Sequence, residues 1–476
     1  MDVAAQRGAL QGRSRPAVGG ADGSAVAWSV APTTLDRVTI GRWLALWAAS
    51  LFILVLVGGG TRLTESGLSI TEWKPVSGVI PPLTDAAWQA EFDKYKHIPQ
   101  YEKLNAGMTL AQFQGIFWWE FLHRFWARFV GVVFVLPLVW FAWRRRIPRD
   151  LLPRLGTLGV LMGLQGAMGW YMVASGLTQR VNVSQYRLAA HLSLALVIYL
   201  ITVWTADELI NGKDELTGDG GRVTVNGQPV PSLGSACRWL GALLMLAFIT
   251  VVSGAFVAGL RAGKIYNEFP LMAGRVVPAD YAALDPWYRN LFENPSAAQF
   301  NHRLLATLTL IGVTVGGWRL RRVADPLLRQ RLTLVLAAVG VQVALGITVL
   351  LLSVPVAIGV AHQAGAVLVL TALTLALREA VDARRSWAPT WRPGPTIAPR
   401  DGRRSGAPVQ AATGAAGAPS SGPGPPRARP MPRALTHAQS WPCRRDATSA
   451  RAGAPPAPRR RAATASAQTA RPPRHR

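Results

Sequence analysis

The chain has 476 residues, half of them apolar, and 51 Lys+Arg against 25 Asp+Glu give a formal net charge of +26. Sixteen arginines and two aspartates lie in 388–476, so +14 of that charge belongs to a Pro-, Ala-, Gly- and Ser-rich tail, and nucleic acid is not the expected partner. The two cysteines, Cys237 and Cys443, both fall outside the loops expected on the outer side, which excludes a disulfide framework.

Residues 1–38 are polar and small, read as a disordered cytoplasmic tail, and are no signal peptide. Eight apolar runs of spanning length follow, at 40–60, 116–143, 155–174, 188–206, 239–260, 304–318, 332–352 and 354–377. The sixth is long enough only with part of "QFNHRLL". Long loops at 61–115 and 261–299 separate the first from the second run and the fifth from the sixth. Arg144, Arg145, Arg146, Arg149 and Arg154 join the second and third runs, and Arg319, Arg321, Arg322, Arg329 and Arg331 join the sixth and seventh. The positive-inside rule puts both joints, and hence both termini, in the cytoplasm and the long loops outside. A linker at 207–237 divides residues 39–206 from 238–378, and 388–476 is a disordered tail touching water or anionic lipid.

The two halves repeat. "QFNHRLLATL" matches "EFLHRFWARF", "GVQVALG" matches "GLQGAMG", and "GVAHQAGAVLVL" matches "RLAAHLSLALVI". These alignments set His302 on His123, Arg303 on Arg124, Gln342 on Gln165 and His362 on His191. An even number of spans per repeat gives a parallel repeat. The expected fold class is therefore all-α integral membrane: eight transmembrane helices as two pseudo-symmetric four-helix bundles.

His123, His191, His302 and His362 fall near the outer ends of alternate spans, two per bundle. Paired neutral imidazoles across a four-helix bundle suit heme iron, whereas zinc wants more ligands than either bundle offers. Gly163, Gly166, Gly169, Gly340 and Gly346 would let a macrocycle approach the backbone or, equally, let helices pack closely. Arg124, Arg128 and Arg303 could pair with propionates or snorkel to the interface. Glu120, one turn outward from His123, aligns with Gln299, so the acid is peculiar to the first bundle; it could take protons or polarise a substrate there, or pair with Arg124 or an outer-loop base. Trp118, Trp119 and Trp126 read as an interfacial belt. A di-heme b-type cytochrome that only carries electrons, and a repeat-built transporter, are the rival functions.

From about residue 37 to 377 the chain resembles heme A synthase. The motifs that carry the likeness are "GGGTRLTESGLSITEWKPVSGVIPP", "WWEFLHRFWAR", "LQGAMGWYMVASGL", "VSQYRLAAHL", "VAGLRAGKIYNEFP", "LFENPSAAQFNHR" and "AHQAGA". The resemblance implies oxidation of the C8 methyl of heme O to a formyl group through an alcohol, heme I, for cytochrome oxidase. It implies His123 and His191 as ligands of substrate heme O, His302 and His362 as ligands of a resident heme b, and Glu120 as the essential acid. It further implies the cell inner membrane, delivery of heme O by heme O synthase (the protoheme farnesyltransferase) and an unidentified electron acceptor, and it leaves room for a homo-oligomer. The chain departs from the common family pattern at Ala127, where glycine is frequent. It also lacks a cysteine pair in the first outer loop, which aligns it with the branch resembling the mitochondrial enzymes.

Overall fold

The structure is a computed structural model that describes residues 33–74, 77–179, 183–212, 224–225, 228–229, 233–321 and 326–387. The tail expected at 388–476 and most of that at 1–38 lie outside the described residues. The helices in chain order are α1 (Thr34–Leu63), α2 (Asp85–Lys96), α3 (Leu110–Trp143), α4 (Leu152–Gln179), α5 (Gln185–Asn211), α6 (Leu233–Gly259), α7 (Asn290–Glu293), α8 (Pro295–Arg321), α9 (Pro326–Leu351) and α10 (Val356–Trp387). A two-residue antiparallel pair, β1 (Thr224–Val225) and β2 (Gln228–Pro229), sits in the linker. The protein is a helical, multi-pass membrane protein: α1, α3, α5, α6, α9 and α10 are long and apolar enough to cross a bilayer. The composition of α4 and α8 falls short because they carry Gln165 among glycines and the polar run Gln299–Arg303 respectively.

Helix limits follow local chemistry. Thr33 and Asp36 form a reciprocal capping box that starts α1 ahead of the apolar run. Thr109 and Gln112 do the same for α3, which therefore begins six residues before the predicted 116 and puts His123 in about the fourth turn. The early start has a reason. Phe113 and Phe117 bury against Trp88, Phe92 and Tyr95 of α2, a satellite core built by the first long loop.

The main core fills the seams between the long helices. Trp47 is fully buried with its ring 4.3 Å from that of Phe134. Pro137 inside α3 has no N–H for the Val133 carbonyl, and Trp43 Nε1 donates to that carbonyl at 2.7 Å. Trp47 Nε1 donates to Val130 O at 3.1 Å and Trp126 Nε1 to Ser50 O at 2.9 Å, so indoles lace α1 to α3. Trp126 is thus a seam residue. So is Trp119, whose ring packs on Gly60, whereas Trp118 is half exposed.

The packing of α6, α8, α9 and α10 closes on itself: α6 on α8, α8 on α9, α9 on α10 and α10 on α6. In the first set α3 packs on α1, α1 on α5 and α5 on α4, but α3 and α4 meet only marginally, where Phe134 faces Gly159. The first set is a horseshoe and the second a ring. They are joined through α5–α6, α1–α10 and α5–α10.

Candidate functional site

Each predicted histidine stands against a glycine of a neighbouring helix. A Cβ on Gly58 of α1 would lie 3.3 Å from His123 Nε2, and one on Gly169 of α4 would lie 3.4 Å from His191 Cε1. In the second set, a Cβ on Gly254 of α6 would approach His302 Cε1 to 3.1 Å, and one on Gly346 of α9 would approach His362 Cε1 to 3.0 Å. Any side chain at these four places would push on an imidazole. His123 and His191 lie within electrostatic reach of each other, as do His302 and His362. The four residues therefore come together as two pairs, α3 with α5 and α8 with α10.

Two glutamines that the sequence aligns, without assigning them a task, touch these pairs. Gln165 Nε2 is 3.2 Å from His191 Nε2 and donates to the His191 carbonyl at 3.1 Å, and Gln342 Nε2 is 3.2 Å from His362 Nδ1. Among the described residues, both buried glutamine Oε1 atoms and the buried His191 Nδ1 have no hydrogen-bond partner. Recurrence of the glutamine one helix before the histidine in both halves was the signal available for finding this contact.

His302 has further polar support. Its Nδ1 lies 2.9 Å from Ser253 Oγ and 3.2 Å from Thr250 O, and the Ser253 hydroxyl itself donates to Thr250 O at 2.7 Å. A carbonyl only accepts, so Nδ1 carries the proton and Nε2 keeps its lone pair. Among the described residues the His123 ring has no hydrogen-bond partner. Nothing in the sequence distinguishes Ser253 from other hydroxyls on apolar helices, which commonly bond back to their own backbone.

Glu120 is 2% exposed, and four donors converge on it. Arg124 Nε and Nη2 reach Oε1 at 3.0 and 2.6 Å, while Ser69 Oγ and the Ile70 N–H reach Oε2 at 2.8 and 2.9 Å. Two donors on each oxygen fix the orientation of the carboxyl group. The aligned Gln299 instead donates to Tyr266 O at 3.0 Å. Arg124 also donates to Glu72 O and Ile70 O, Arg128 to Lys74 O, and Arg303 to Leu271 O and Tyr266 O. The three arginines thus anchor the long loops to α3 and α8, and among the described residues the buried Arg303 Nε has no partner.

Outside the helices, Lys74 and Lys94 at 2.5 and 2.9 Å hold the Glu72 carboxyl below the usual carboxylate range. Gly58 and Gly59 connect the two pairs. The first faces His123, while a Cβ on the second would collide with Gln363, the residue after His362, whose amide donates to Val55 O at 2.9 Å.

Residues 41–374 match the family model described as cytochrome oxidase assembly protein, COX15-CtaA. The heme A synthase of Parvibaculum lavamentivorans is 47% identical over 343 residues, covering 72% of this chain and 94% of that protein. That of Nitrosomonas eutropha is 45% identical over 340 residues, covering 71% and 93%. That of Rhodopseudomonas palustris strain TIE-1 is 48% identical over 337 residues, covering 69% and 85%. The glycine-backed histidine pairs therefore belong to a chain that is a member of the COX15-CtaA family of cytochrome oxidase assembly proteins.

Proposed function

We propose that the protein is a heme A synthase, an oxidoreductase that converts the C8 methyl of heme O to a formyl group through the hydroxylated heme I. His123 and His191 hold heme O as substrate, and His302 and His362 hold heme b. All eight long helices cross the cell inner membrane as a parallel repeat of two four-helix halves, with both termini cytoplasmic. The arginines at 144–154 and 319–331 support this orientation.

The observation that carries the reading is one arrangement occurring twice: an imidazole pair, each ring backed by a glycine, with a glutamine amide on the second ring. The residues fit a heme. Among the described residues no three His, Cys, Asp or Glu side chains gather to hold a bare ion, and a macrocycle brings its own ring nitrogens. The buried, partnerless atoms at Gln165, His191 and Gln342 suit a site completed by a ligand. Heme b, when bound, supplies a redox-active iron that takes up and passes on electrons.

The chain's own residues supply the rest. Oxidising a methyl group releases protons, and Glu120, one turn from His123 on the same face of α3, is placed to accept them. Arg124, Ser69 and the Ile70 N–H hold that carboxylate in one orientation. Arg124, Arg128 and Arg303, which hold the loop bases, pair with the propionates in this reading. Glu120 favours the enzyme over a di-heme electron carrier, because Gln299 in the second half has no charge to offer. Heme O synthase delivers the substrate, and an electron acceptor outside this chain takes the electrons.

The test is to express the protein with a heme O synthase and extract the membrane hemes. Heme A or heme I is the expected result. Unchanged heme O beside a heme-loaded protein would favour the electron carrier, and a purified protein without a heme band would remove the whole reading.

A further inference from the structure

The two histidine pairs differ in how firmly they are held, and the difference has a direction. Gly58 and Gly254 play the same part against His123 and His302, so residues counted back from them are equivalent. Ser253 and Thr250 on α6 then correspond to Val57 and Leu54 on α1. Ser253 bonds the ring of His302, and Thr250 adds a second tie, its hydroxyl lying 3.0 Å from that of Thr309 on α8. At the first pair two aliphatic side chains take those positions, and among the described residues the His123 ring has no hydrogen-bond tie. The helices agree with the side chains. Beside the second pair α8 and α9 pack on each other, whereas beside the first the equivalent α3 and α4 meet only marginally.

We propose that Ser253 is a positioning residue that makes the second site retentive, and that its replacement by Val57 beside the weakly packed α3–α4 seam makes the first site exchangeable, loading an apolar porphyrin laterally from the membrane. This deepens the function proposed above and rests on it. A ring whose Nδ1–H is already committed presents Nε2 in one orientation, so rebinding after each breakage of the iron bond is fast. An untethered ring must be reordered every time. A substrate site has to release its product, and a resident cofactor site must not.

The test uses the full chain in detergent, loaded with hemin, with excess apomyoglobin added to capture whatever dissociates. The wild type should lose heme in a fast and a slow phase. Ser253→Val should accelerate the slow phase about 10–100-fold, the usual cost of removing a partner from a metal-ligating histidine. It should also change the low-spin ferric electron paramagnetic resonance signal and leave the fast phase alone. Ser253→Thr, which keeps the hydroxyl, should restore the slow phase, and Val57→Ser should slow the fast one. An unchanged slow phase and signal in Ser253→Val, in protein whose circular dichroism matches the wild type, overturns the inference while leaving the paired-histidine reading intact. A wild type that binds hemin without any bis-histidine low-spin signal overturns both.

Discussion

Replacing Glu120 with glutamine keeps its size and an acceptor for Ser69 and Ile70 but removes the charge facing Arg124. Heme absorption should persist in Glu120→Gln, while conversion of heme O falls about 100-fold or more, read from extracted hemes. His302→Ala has the opposite signature: the heme b band of the purified protein is lost. The histidines were legible in the sequence because an ionisable group in an apolar helix costs several kcal/mol and calls for a reason. The ties to Ser253 and Thr250 were not, since hydroxyls on such helices are ordinary and their partners depend on helix rotation. Glu120 was legible as an oddity, but its clamp of four donors was not, because Ser69 and Ile70 lie some fifty residues away across a loop.

The elements repair one another's defects. Pro137 would leave the Val133 carbonyl without a partner inside the membrane, and Trp43 supplies the donor. Trp43→Phe should therefore destabilise the protein by about 1–3 kcal/mol, seen as a lower midpoint of thermal unfolding in detergent. The long helices were readable from apolar run length, and even the polar α8 was found once its histidine motif was included. The N-terminal extension of α3 was not, because residues 110–115 carry no membrane signal and become helical through burial of Phe113 and Phe117 under α2. Glu72 ties that loop through Lys74 and Lys94. A carboxyl held below its unfolded value stabilises the fold at neutral pH and loses that effect as pH falls through the folded value. Hydrogen exchange in 85–96, corrected for intrinsic rate, should rise between pH 6 and about pH 3 and stay flat between pH 6 and 8.

Across the whole molecule, both ends of the helices are cross-braced. At one end Asp207 of α5 pairs with Arg331 of α9 at 3.2 Å and with Arg378 of α10, which is 1% exposed. At the other, Arg62 of α1 donates to Ala258 O at 2.7 Å and Arg261 pairs with Glu65 at 2.5 Å. Arg378→Met leaves buried carboxylates short of a counter-ion and should cost about 3 kcal/mol or more, measured as loss of monodisperse protein on heating. The motifs matched between the two halves were visible in the sequence, but the contrast between horseshoe and ring was not. It depends on how α3 and α4 splay, and no periodicity encodes that.

The satellite cluster of Trp88, Phe92, Tyr95, Phe113 and Phe117 is not continuous with the membrane core. Its aromatic rings have nowhere to hide until the first turns of α3 arrive beside α2. During biosynthesis this segment therefore carries exposed aromatic surface, on whichever side of the membrane it lies, until α2 and the start of α3 are both in place.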